Sequence, residues 1–408
     1  YLTQFNTDAY YGLNNQLVTA FAPVALTNAN LKWEAAVSRD IGLDISLFNS
    51  RLQVTADYYR NKSKDLLVNV PVPTTSGYTS QIQNVGATAN NGFELQVNVA
   101  IIQTKNFSWN ANFNISFNNN KVLSLGGQEQ SFLINSGWAG SANPADYIVK
   151  VGAPVGSMYG LVTDGYYTLD DFNYDPNTQT YALKPGMVDN KNVTGLYPQP
   201  GMIKFKGLNG DTLIDNNTDR TIIGNANPKF FGGINQQFTW KNFDASIFLN
   251  FQYGNNVFND NRLAFYSGYI TNGNLLSIAN GRWRTINAQG QVVTDPKELA
   301  ALNQNAKLWI PMTTGSSWTP QSWAVEDGSF IRINNITLGY TLPQQLTKKV
   351  GIQKFRIYVT GNNLAVITNY SGYDPEVNVR RSTPMTPNVD FSSYPRAKAY
   401  IAGVNVTF

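Results

Sequence analysis

Residues 107–117, FSWNANFNISF, alternate strictly between apolar and polar side chains. This two-residue period predicts a β-strand whose two faces meet different surroundings. The same alternation recurs in several other segments: RLQVTADYY (51–59), FFGGINQQFTW (230–240), FDASIFLNFQY (243–253) and the C-terminal AYIAGVNVTF (399–408). Amphipathic helices are nearly missing, and the best candidate is DPKELAALNQ (295–304). The pattern therefore predicts an all-β chain.

The predicted strands are joined alternately by short turns and long connections. We predict eleven strands, at residues 31–48, 51–68, 87–102, 107–124, 144–151, 157–169, 228–241, 243–259, 328–343, 354–368 and 399–408. The long connections between hairpins are 69–86, 125–143, 170–227, 260–327 and 369–398. Outer-membrane barrels have short periplasmic turns and long extracellular loops, and strands of about ten residues cross a bilayer when tilted. We therefore expect a transmembrane antiparallel β-barrel, with a soluble β-sandwich as the alternative.

Composition removes several classes of function. The 408 residues include no cysteine and no histidine, which excludes a cysteine nucleophile, a Ser-His-Asp triad and a Cys/His zinc site within the chain. The 30 basic and 26 acidic residues are spread along the chain, so nucleic-acid binding has little support. Asp164, Asp170, Asp171 and Asp327 show no spacing typical of a glycosidase pair. We predict that the chain is not an enzyme.

Eight sequence blocks carry a family resemblance. They are NANLKWEAAVSRDIGLD (28–44), VTADYYRNKSKDLL (54–67), NVGATANNGFELQV (84–97), VGAPVGSMYGLVTDGYY (151–167), DRTIIGNANPKFFGGI (219–234), VEDGSFIRINNITLGYTLP (325–343), GNNLAVITNYSGYDPEVN (361–378) and SYPRAKAYIAGVNVTF (393–408). In these blocks the chain resembles the C-terminal half of the SusC-like (RagA-like) TonB-dependent outer-membrane transporters of Bacteroidota. The resemblance implies a barrel of about 22 strands around an N-terminal plug.

The resemblance also divides the chain. The eleven predicted strands would form the C-terminal half of the barrel, within residues 31–408, and residues 1–30 would be the tail of an extracellular loop. The large extracellular loops would be 170–227, 260–327 and 369–398. We find no plug domain and no TonB-box-like segment near Tyr1, so we expect the plug to lie outside this chain.

The function implied by the resemblance is TonB-dependent active import across the outer membrane. The substrate, an oligosaccharide or a peptide, would bind between the barrel loops and a SusD-like surface lipoprotein, while TonB would act through the absent N-terminal region. Outer-membrane lipid would surround the barrel. Two alternative functions are compatible with the same barrel strands: that of a passive porin and that of a barrel-borne outer-membrane hydrolase.

One loop resembles a calcium-binding segment of that family. LNGDTLIDNNTDRTIIG (208–224) offers oxygen ligands at Asn209, Asp211, Asp215 and Asp219. Gly207 stands where the pattern wants an acidic residue, Thr212 replaces the turn glycine, and Asp219 comes one residue late. We therefore expect either a Ca²⁺ site or a polar loop stabilised by Asx turns.

Aromatic side chains supply the remaining candidates. The long connections contain five tryptophans, Trp138, Trp283, Trp309, Trp318 and Trp323. Exposed aromatic faces beside amides and carboxylates can stack on sugars, so these residues are candidate substrate-binding residues. The alternative is that they pack the loops together or face a partner lipoprotein. The chain ends on Phe408, which resembles the assembly signal of outer-membrane barrels.

Overall fold

The computed structural model describes most of the chain, namely residues 5–23, 26–78, 80–126, 130–138, 144–269, 273–312, 318–379 and 383–408. These residues form mainly β-strands with a few short helices, which confirms the all-β prediction. Over the same ranges, no helix combines the length and the hydropathy that a membrane crossing requires.

The strands of the described residues are numbered in chain order. The first six are β1 (Phe5–Leu13), β2 (Gln16–Pro23), β3 (Ala35–Leu47), β4 (Leu52–Pro71), β5 (Ser80–Gln103) and β6 (Phe107–Ser124). The next eight are β7 (Ser131–Ile134), β8 (Tyr147–Lys150), β9 (Ser157–Leu161), β10 (Thr163–Tyr166), β11 (Phe172–Asp175), β12 (Thr180–Leu183), β13 (Ile203–Phe205) and β14 (Arg220–Asn225). The last eight are β15 (Phe230–Trp240), β16 (Phe243–Tyr253), β17 (Asn256–Asn259), β18 (Val325–Asp327), β19 (Phe330–Thr341), β20 (Lys354–Thr368), β21 (Val389–Asp390) and β22 (Ala399–Thr407).

The helices are short. They are α1 (Lys191–Thr194), α2 (Asp260–Arg262), α3 (Pro296–Leu302) and α4 (Gln344–Thr347), with a π-helical turn at Leu263–Ser267. Five segments are 3₁₀-helical: Thr74–Ser76, Leu169–Asp171, Ser277–Gly281, Ser322–Ala324 and Lys348–Val350. Helix α3 confirms the helix predicted at 295–304. Asp295 caps it by accepting hydrogen bonds from the backbone N–H groups of Lys297 at 2.9 Å and Glu298 at 3.1 Å.

The large sheet contains nine strands in the described part of the chain. Its order is β22-β20-β19-β16-β15-β6-β5-β4-β3, and every neighbouring pair is antiparallel. Four short turns join its hairpins, at residues 48–51, 104–106, 241–242 and 342–353. All other connections of this sheet leave from the opposite end. The structure therefore has the end-to-end asymmetry that the sequence predicts.

The two faces of this sheet differ sharply. Phe113 on β6 lies between Val97 and Ile234 in an apolar row, while the next residue, Asn112, lies between Asn98 and Asn235 in a polar row. Side chains of the apolar face are widely exposed, for example Ile41 (77%), Leu338 (55%) and Val404 (57%). A water-soluble sheet covers its apolar face, so this exposure indicates an apolar solvent.

Amides hydrogen-bond across the strands on the polar face. Asn120 donates to Asn90 at 2.9 Å and Asn335 donates to Asn362 at 2.6 Å. Near the short turns, Arg356 Nε donates to Asp244 Oδ1 at 2.9 Å. Gly339 lies between these two side chains, because a Cβ there would meet Arg356 Nη2 at 2.5 Å and Asp244 Oδ1 at 2.6 Å. The polar face thus satisfies much of its own hydrogen bonding.

Two of the eleven predicted strands do not join the large sheet. The prediction of strands at 144–151 and 157–169 within the barrel wall is wrong, because β8 and β9 belong to a separate four-stranded sheet of order β14-β9-β8-β7. These strands have four and five residues, too few to cross a bilayer. Most of their side chains are buried on both faces, whereas a barrel strand alternates.

The long connections at 125–229, 254–329 and 369–398 pack together into a body that we call the loop assembly. Its largest hydrophobic clusters surround Tyr266 with Trp309 and Trp138 with Phe258. Among the described residues, Ala89, Val122 and Phe330 are the only buried hydrophobic side chains on strands of the large sheet. The buried core therefore lies in the loop assembly.

The N-terminal segment has a structure of its own. Strands β1 and β2 form an antiparallel hairpin within residues 1–30, the segment predicted to be an extracellular loop tail. Its extracellular position stays a prediction, as do the other domain limits inferred from the sequence.

Candidate functional site

A site lies where the loop assembly meets the polar face of the large sheet. The pairing of β19 with β16 shifts between Ile333 and Asn335, the signature of a β-bulge. The extra residue lets Ile333 and Ile336 share the apolar face although two residues lie between them, a spacing that would put them on opposite faces of a regular strand. Arg332 pairs with Asn250 on the polar face and is 1% exposed.

Arg332 holds one long connection against the sheet. Its Nη2 donates to Asp374 Oδ1 at 2.7 Å and its Nε donates to Glu376 Oε2 at 2.7 Å. The remaining nitrogen, Nη1, donates to Asn363 Oδ1 on β20 at 2.6 Å. A buried guanidinium is stable only when paired and hydrogen-bonded, and here three acceptors surround it. The contact fixes the start of the 369–398 connection on the polar face.

A second arginine completes this ion cluster from the other side. Arg396 Nη1 lies 3.1 Å from Glu376 Oε2, and its Nε lies 3.5 Å from Asp374 Oδ2. Two guanidinium groups therefore face two carboxylates, and the cluster has no net charge. The cluster thus draws together the two limbs of the 369–398 connection, 371–379 and 390–396.

An open groove runs along these two limbs. It consists of two adjoining hollows of about 660 and about 610 Å³ that share Ser393 and Tyr394. Besides the ion cluster, its lining includes the amides and hydroxyls of Asn259, Asn261, Ser371, Asn378 and Ser392. Tyr373 and Tyr394 border it with 83% and 92% of their surfaces exposed. We call this feature the tyrosine groove.

The tyrosine groove has the chemistry of a binding site for a neutral polar ligand. Exposed aromatic faces stack on sugar CH groups or peptide planes, while amides and hydroxyls exchange hydrogen bonds with hydroxyl or peptide groups. Asp390, which also borders it, accepts a hydrogen bond from the Tyr370 hydroxyl at 2.5 Å. With its carboxylates already engaged, the groove offers recognition without a free acid or base.

A buried group of carboxyl side chains lies deeper in the loop assembly. Burial raises the pKa of Asp260 well above its usual range, and the charges of Asp146 and Asp390 add to this effect. Neither oxygen of the Asp260 side chain meets a hydrogen-bond donor among the described residues. Burial also raises the pKa of Asp146, against hydrogen bonds from Ser136 that lower it. Asp260 and Asp146 are closed to solvent, so they bear on stability rather than on ligand chemistry.

The predicted calcium ligands lie together in one loop. Asn209 and Asp211 are exposed, Asp215 is half-buried and Asp219 is buried. Their oxygens mainly accept hydrogen bonds from backbone N–H groups. The Asp219 carboxylate accepts from the N–H groups of Leu208 at 2.8 Å and Asp215 at 3.0 Å, and the Asp215 carboxylate accepts from the N–H group of Asn217 at 2.6 Å. Hydrogen bonds from the backbone N–H groups of Thr218 and Asn217 hold the pKa of the Asp215 carboxyl below its usual range. Across the described residues, no group of three or more acidic side chains is arranged for a metal ion. These are the bonds of the Asx-turn alternative, and calcium binding stays a prediction.

The predicted tryptophans lie inside the loop assembly. Trp138, Trp283 and Trp309 are at most 5% exposed, while Trp318 and Trp323 are half-buried. The structure brings Trp138 to Trp318, with ring centroids 6.4 Å apart, and Trp309 to Trp323 at 4.8 Å, whereas Trp283 packs on Tyr166. Burial favours the packing alternative for the first three, and a substrate role for the tryptophans stays a prediction.

Sequence reasoning missed the residues of the tyrosine groove. Tyr373, Asp374 and Glu376 lie in a block, GNNLAVITNYSGYDPEVN, that was noted only for its resemblance. One signal could have found the cluster: Arg332 is the one charged residue in the segment FIRINNITLGY, and a charge that becomes buried must be paired. The other predicted residue, Phe408, follows β22 and is 81% exposed; its role in assembly stays a prediction.

Comparison with known proteins gives consistent matches. The family described as TonB dependent receptor-like, beta-barrel matches residues 3–195. TonB-dependent receptor P3 of Formosa agariphila is 33% identical over 411 residues, which cover 100% of this chain and 37% of that protein. TonB-dependent receptor SusC of Bacteroides thetaiotaomicron is 27% identical, covering 99% of this chain and 35% of SusC. The chain therefore spans just over a third of the length of these relatives.

Solved structures agree at the level of the fold. The structure of the RagAB peptide transporter matches with a TM-score of 0.70 and 23% identity, covering 100% of this chain and 38% of the matched chain. The RagAB peptide importer in its closed-closed state matches with a TM-score of 0.71. The fold of this chain thus has a counterpart in solved structures.

Proposed function

We propose that the protein carrying this chain, a TonB-dependent receptor β-barrel segment of the outer membrane, imports an oligosaccharide or a peptide by TonB-dependent active transport. The same relatives support the barrel fold, the outer-membrane location and the prediction that the chain is not an enzyme. Because the chain spans just over a third of those relatives, the transport activity of the whole protein is the proposal.

The tyrosine groove is the observation that carries this proposal. It opens at the long-connection end of the sheet, above the polar face, which would line the lumen of a barrel. A ligand that left the groove would meet a wall of neutral amides such as Asn112 and Asn235, which exchange hydrogen bonds without holding a ligand by strong ion pairs. Such a path suits a neutral, polar nutrient.

The partners are part of the same proposal. A SusD-like surface lipoprotein would cover the tyrosine groove, and TonB would act through an N-terminal region with a plug. The loop assembly supports a covering partner because it exposes apolar side chains away from the lipid-facing strands, notably Val292 (71%), Tyr197 (67%) and Ile286 (53%).

The remaining candidate residues enter as secondary proposals. Trp318 and Trp323, the half-buried tryptophans, would add aromatic surface for the substrate. A Ca²⁺ ion would draw Asn209, Asp211 and Asp215 away from their Asx-turn bonds and hold the 208–219 loop. Phe408 would serve barrel assembly.

Nutrient uptake by living cells tests the proposal. Cells producing the intact protein are supplied with a mixture of oligosaccharides and peptides, and depletion of each compound from the medium is followed by mass spectrometry. We expect depletion of one compound class to stop when a protonophore removes the energy source of TonB. The double variant Tyr373→Ala, Tyr394→Ala should slow that depletion roughly tenfold, because it removes two stacking surfaces.

The matched control is Tyr400→Ala. Tyr400 is also an exposed tyrosine, at 77%, but it lies on the apolar face of β22, so its loss should leave uptake unchanged. If depletion continued in the presence of the protonophore, the result would contradict active import and favour the passive porin. If the groove variant and the control changed uptake equally, the tyrosine groove would not lie on the substrate path.

A further inference from the structure

A hollow of about 430 Å³ lies on the apolar face of the large sheet, close to the short turns. It spans β15, β16, β19 and β20, and its lining includes Phe238, Trp240, Phe243, Ala245, Leu338 and Tyr340. Ala245 pairs with Phe238 on one side and Leu338 on the other. Because alanine is the smallest side chain in that row, it leaves a depression between larger neighbours. We call this feature the outer-face hollow.

The side of the hollow towards the turns is aromatic. Trp240, Phe243 and Tyr340 pair in register along the next row towards the turn at 241–242. Trp240 stacks on Phe243 with ring centroids 6.0 Å apart, and Phe243 lies 4.7 Å from Tyr340. Trp and Tyr concentrate where a membrane protein crosses from hydrocarbon to headgroups. The hollow therefore begins at the interface and opens towards the hydrocarbon.

The short turns at the end of the sheet where the hollow lies are basic. The four turns at 48–51, 104–106, 241–242 and 342–353 contain Arg51, Lys105, Lys241, Lys348 and Lys349, and no aspartate or glutamate. Lys241 Nζ lies 5.6 Å from the centre of the Trp240 ring. The acid closest in sequence to Lys241 is Asp244, which also borders the hollow, but its carboxylate is paired with Arg356 at 2.5 Å. The positive charge at these turns is thus not neutralised on the lipid-facing side.

The connection after β19 is itself suited to an interface. The Thr341 N–H donates to the Asn242 carbonyl at 2.8 Å, so this connection begins beside the Lys241 turn. It continues as the short helical segment Gln344–Val350, in which Leu346 is 58% and Val350 71% exposed. Exposed apolar side chains next to Lys348 and Lys349 are typical of a segment that lies in a membrane surface.

We propose that the outer-face hollow is a binding site for an anionic diacyl phospholipid. One acyl chain fills the depression over Ala245, the glycerol region contacts Trp240 and Tyr340, and Lys241, Lys348 and Lys349 hold the phosphate. An apolar depression alone would accept any acyl chain. The three lysines make the site selective for negative headgroups, because each basic residue near the membrane surface attracts anionic lipid.

Native mass spectrometry of the intact protein in detergent tests the site. The protein is incubated with phosphatidylglycerol or with phosphatidylcholine of identical acyl chains, and the bound lipid is counted. We expect roughly tenfold greater retention of phosphatidylglycerol. The triple variant Lys241→Gln, Lys348→Gln, Lys349→Gln should lower its retention to that of phosphatidylcholine. Ala245→Phe should lower the retention of both lipids because the ring fills the depression.

A control of equal charge separates this site from general attraction. Lys206, Lys297 and Lys307 are exposed lysines of the loop assembly, and their replacement by glutamine should leave phosphatidylglycerol retention unchanged. Equal retention of the two lipids by the unaltered protein would overturn the proposal. The proposal would also be overturned if the turn-lysine variant retained as much phosphatidylglycerol as the loop-lysine control. Unchanged lipid retention after Ala245→Phe, in protein that melts normally, would overturn it as well.

Discussion

The large sheet and the loop assembly both contain β-strands, yet they bury opposite kinds of side chain. In the sheet, apolar residues such as Ile41 and Val404 point outward and stay exposed, while asparagines face inward. In the loop assembly, residues such as Phe258 and Tyr266 are wholly buried, as in a water-soluble domain. One chain thus folds against two solvents, with lipid around the sheet and water around the loops.

The difference shows what stabilises each region. Burial of apolar surface away from water drives packing in the loop assembly. Side chains on the outer face of the sheet gain little from one another, because lipid is as apolar as they are. Backbone pairing between strands therefore carries more of the stability of the sheet. Truncating an apolar side chain should have very different consequences in the two regions.

The largest effect is expected for Phe258→Ala. Phe258 is 0% exposed and packs against Tyr147, with ring centroids 6.4 Å apart. Loss of its ring should destabilise the loop assembly by about 3 to 5 kcal/mol, because a buried cavity remains. Thermal unfolding and limited proteolysis of the loops measure the change.

The matched control for Phe258 is Phe117→Ala on the apolar face of the sheet. Phe117 is 40% exposed, and lipid can fill the space its ring leaves, so we expect a change of about 1 kcal/mol or less. Equal destabilisation by the two variants would mean that the outer face is a packed core, and the contrast between the regions would fail.

A smaller effect is expected for Asp260→Asn in the loop assembly. Burial raises the pKa of Asp260 in the folded state, so folding favours its protonated form. Below the pKa of an ordinary aspartate, about 4, Asp260 is protonated in both the folded and the unfolded state, so its burial as a charge costs no stability. The cost grows as the pH rises above that value, until the raised pKa of the folded state is passed.

The asparagine variant removes this titration while keeping the shape of the side chain. At pH 7 it should melt roughly 2 to 4 °C higher than the unaltered protein, and the difference should shrink as the pH falls towards 4. Asp146, whose pKa is also raised, remains in both proteins and contributes equally. If the melting temperature of the variant fell between pH 4 and pH 7 by as much as that of the unaltered protein, Asp260 would not be the responsible group.

The strands of the sheet were predictable because their alternation is local. The strands predicted at 107–124 and 354–368 match β6 and β20 to the residue. The strands predicted at 144–151 and 157–169 failed because short apolar runs do not reveal whether one face or both will be buried. That outcome depends on contacts with β7 and β14, which the local pattern does not contain.

The candidate site was much less predictable than the fold. The exposure of Tyr373 and Tyr394 depends on how the 369–398 connection is held, and Arg332 holds it from about 40 residues away in sequence. Similarly, the tryptophans of the long connections offered no sequence signal that separates a buried ring from an exposed one. Local residue type indicated the chemistry, but long-range packing decided which side chains are accessible.

The central claim is that apolar side chains of the sheet face lipid and its asparagines face the lumen. The 408 residues contain no cysteine, so single cysteines at Asn112, Phe113, Asn114 and Ile115 can each carry a spin label, and collisions with oxygen and with a water-soluble nickel chelate can be compared in bilayers. We predict high oxygen accessibility at Phe113 and Ile115 and low oxygen accessibility at Asn112 and Asn114. Equal or reversed accessibility at the two pairs would contradict the account.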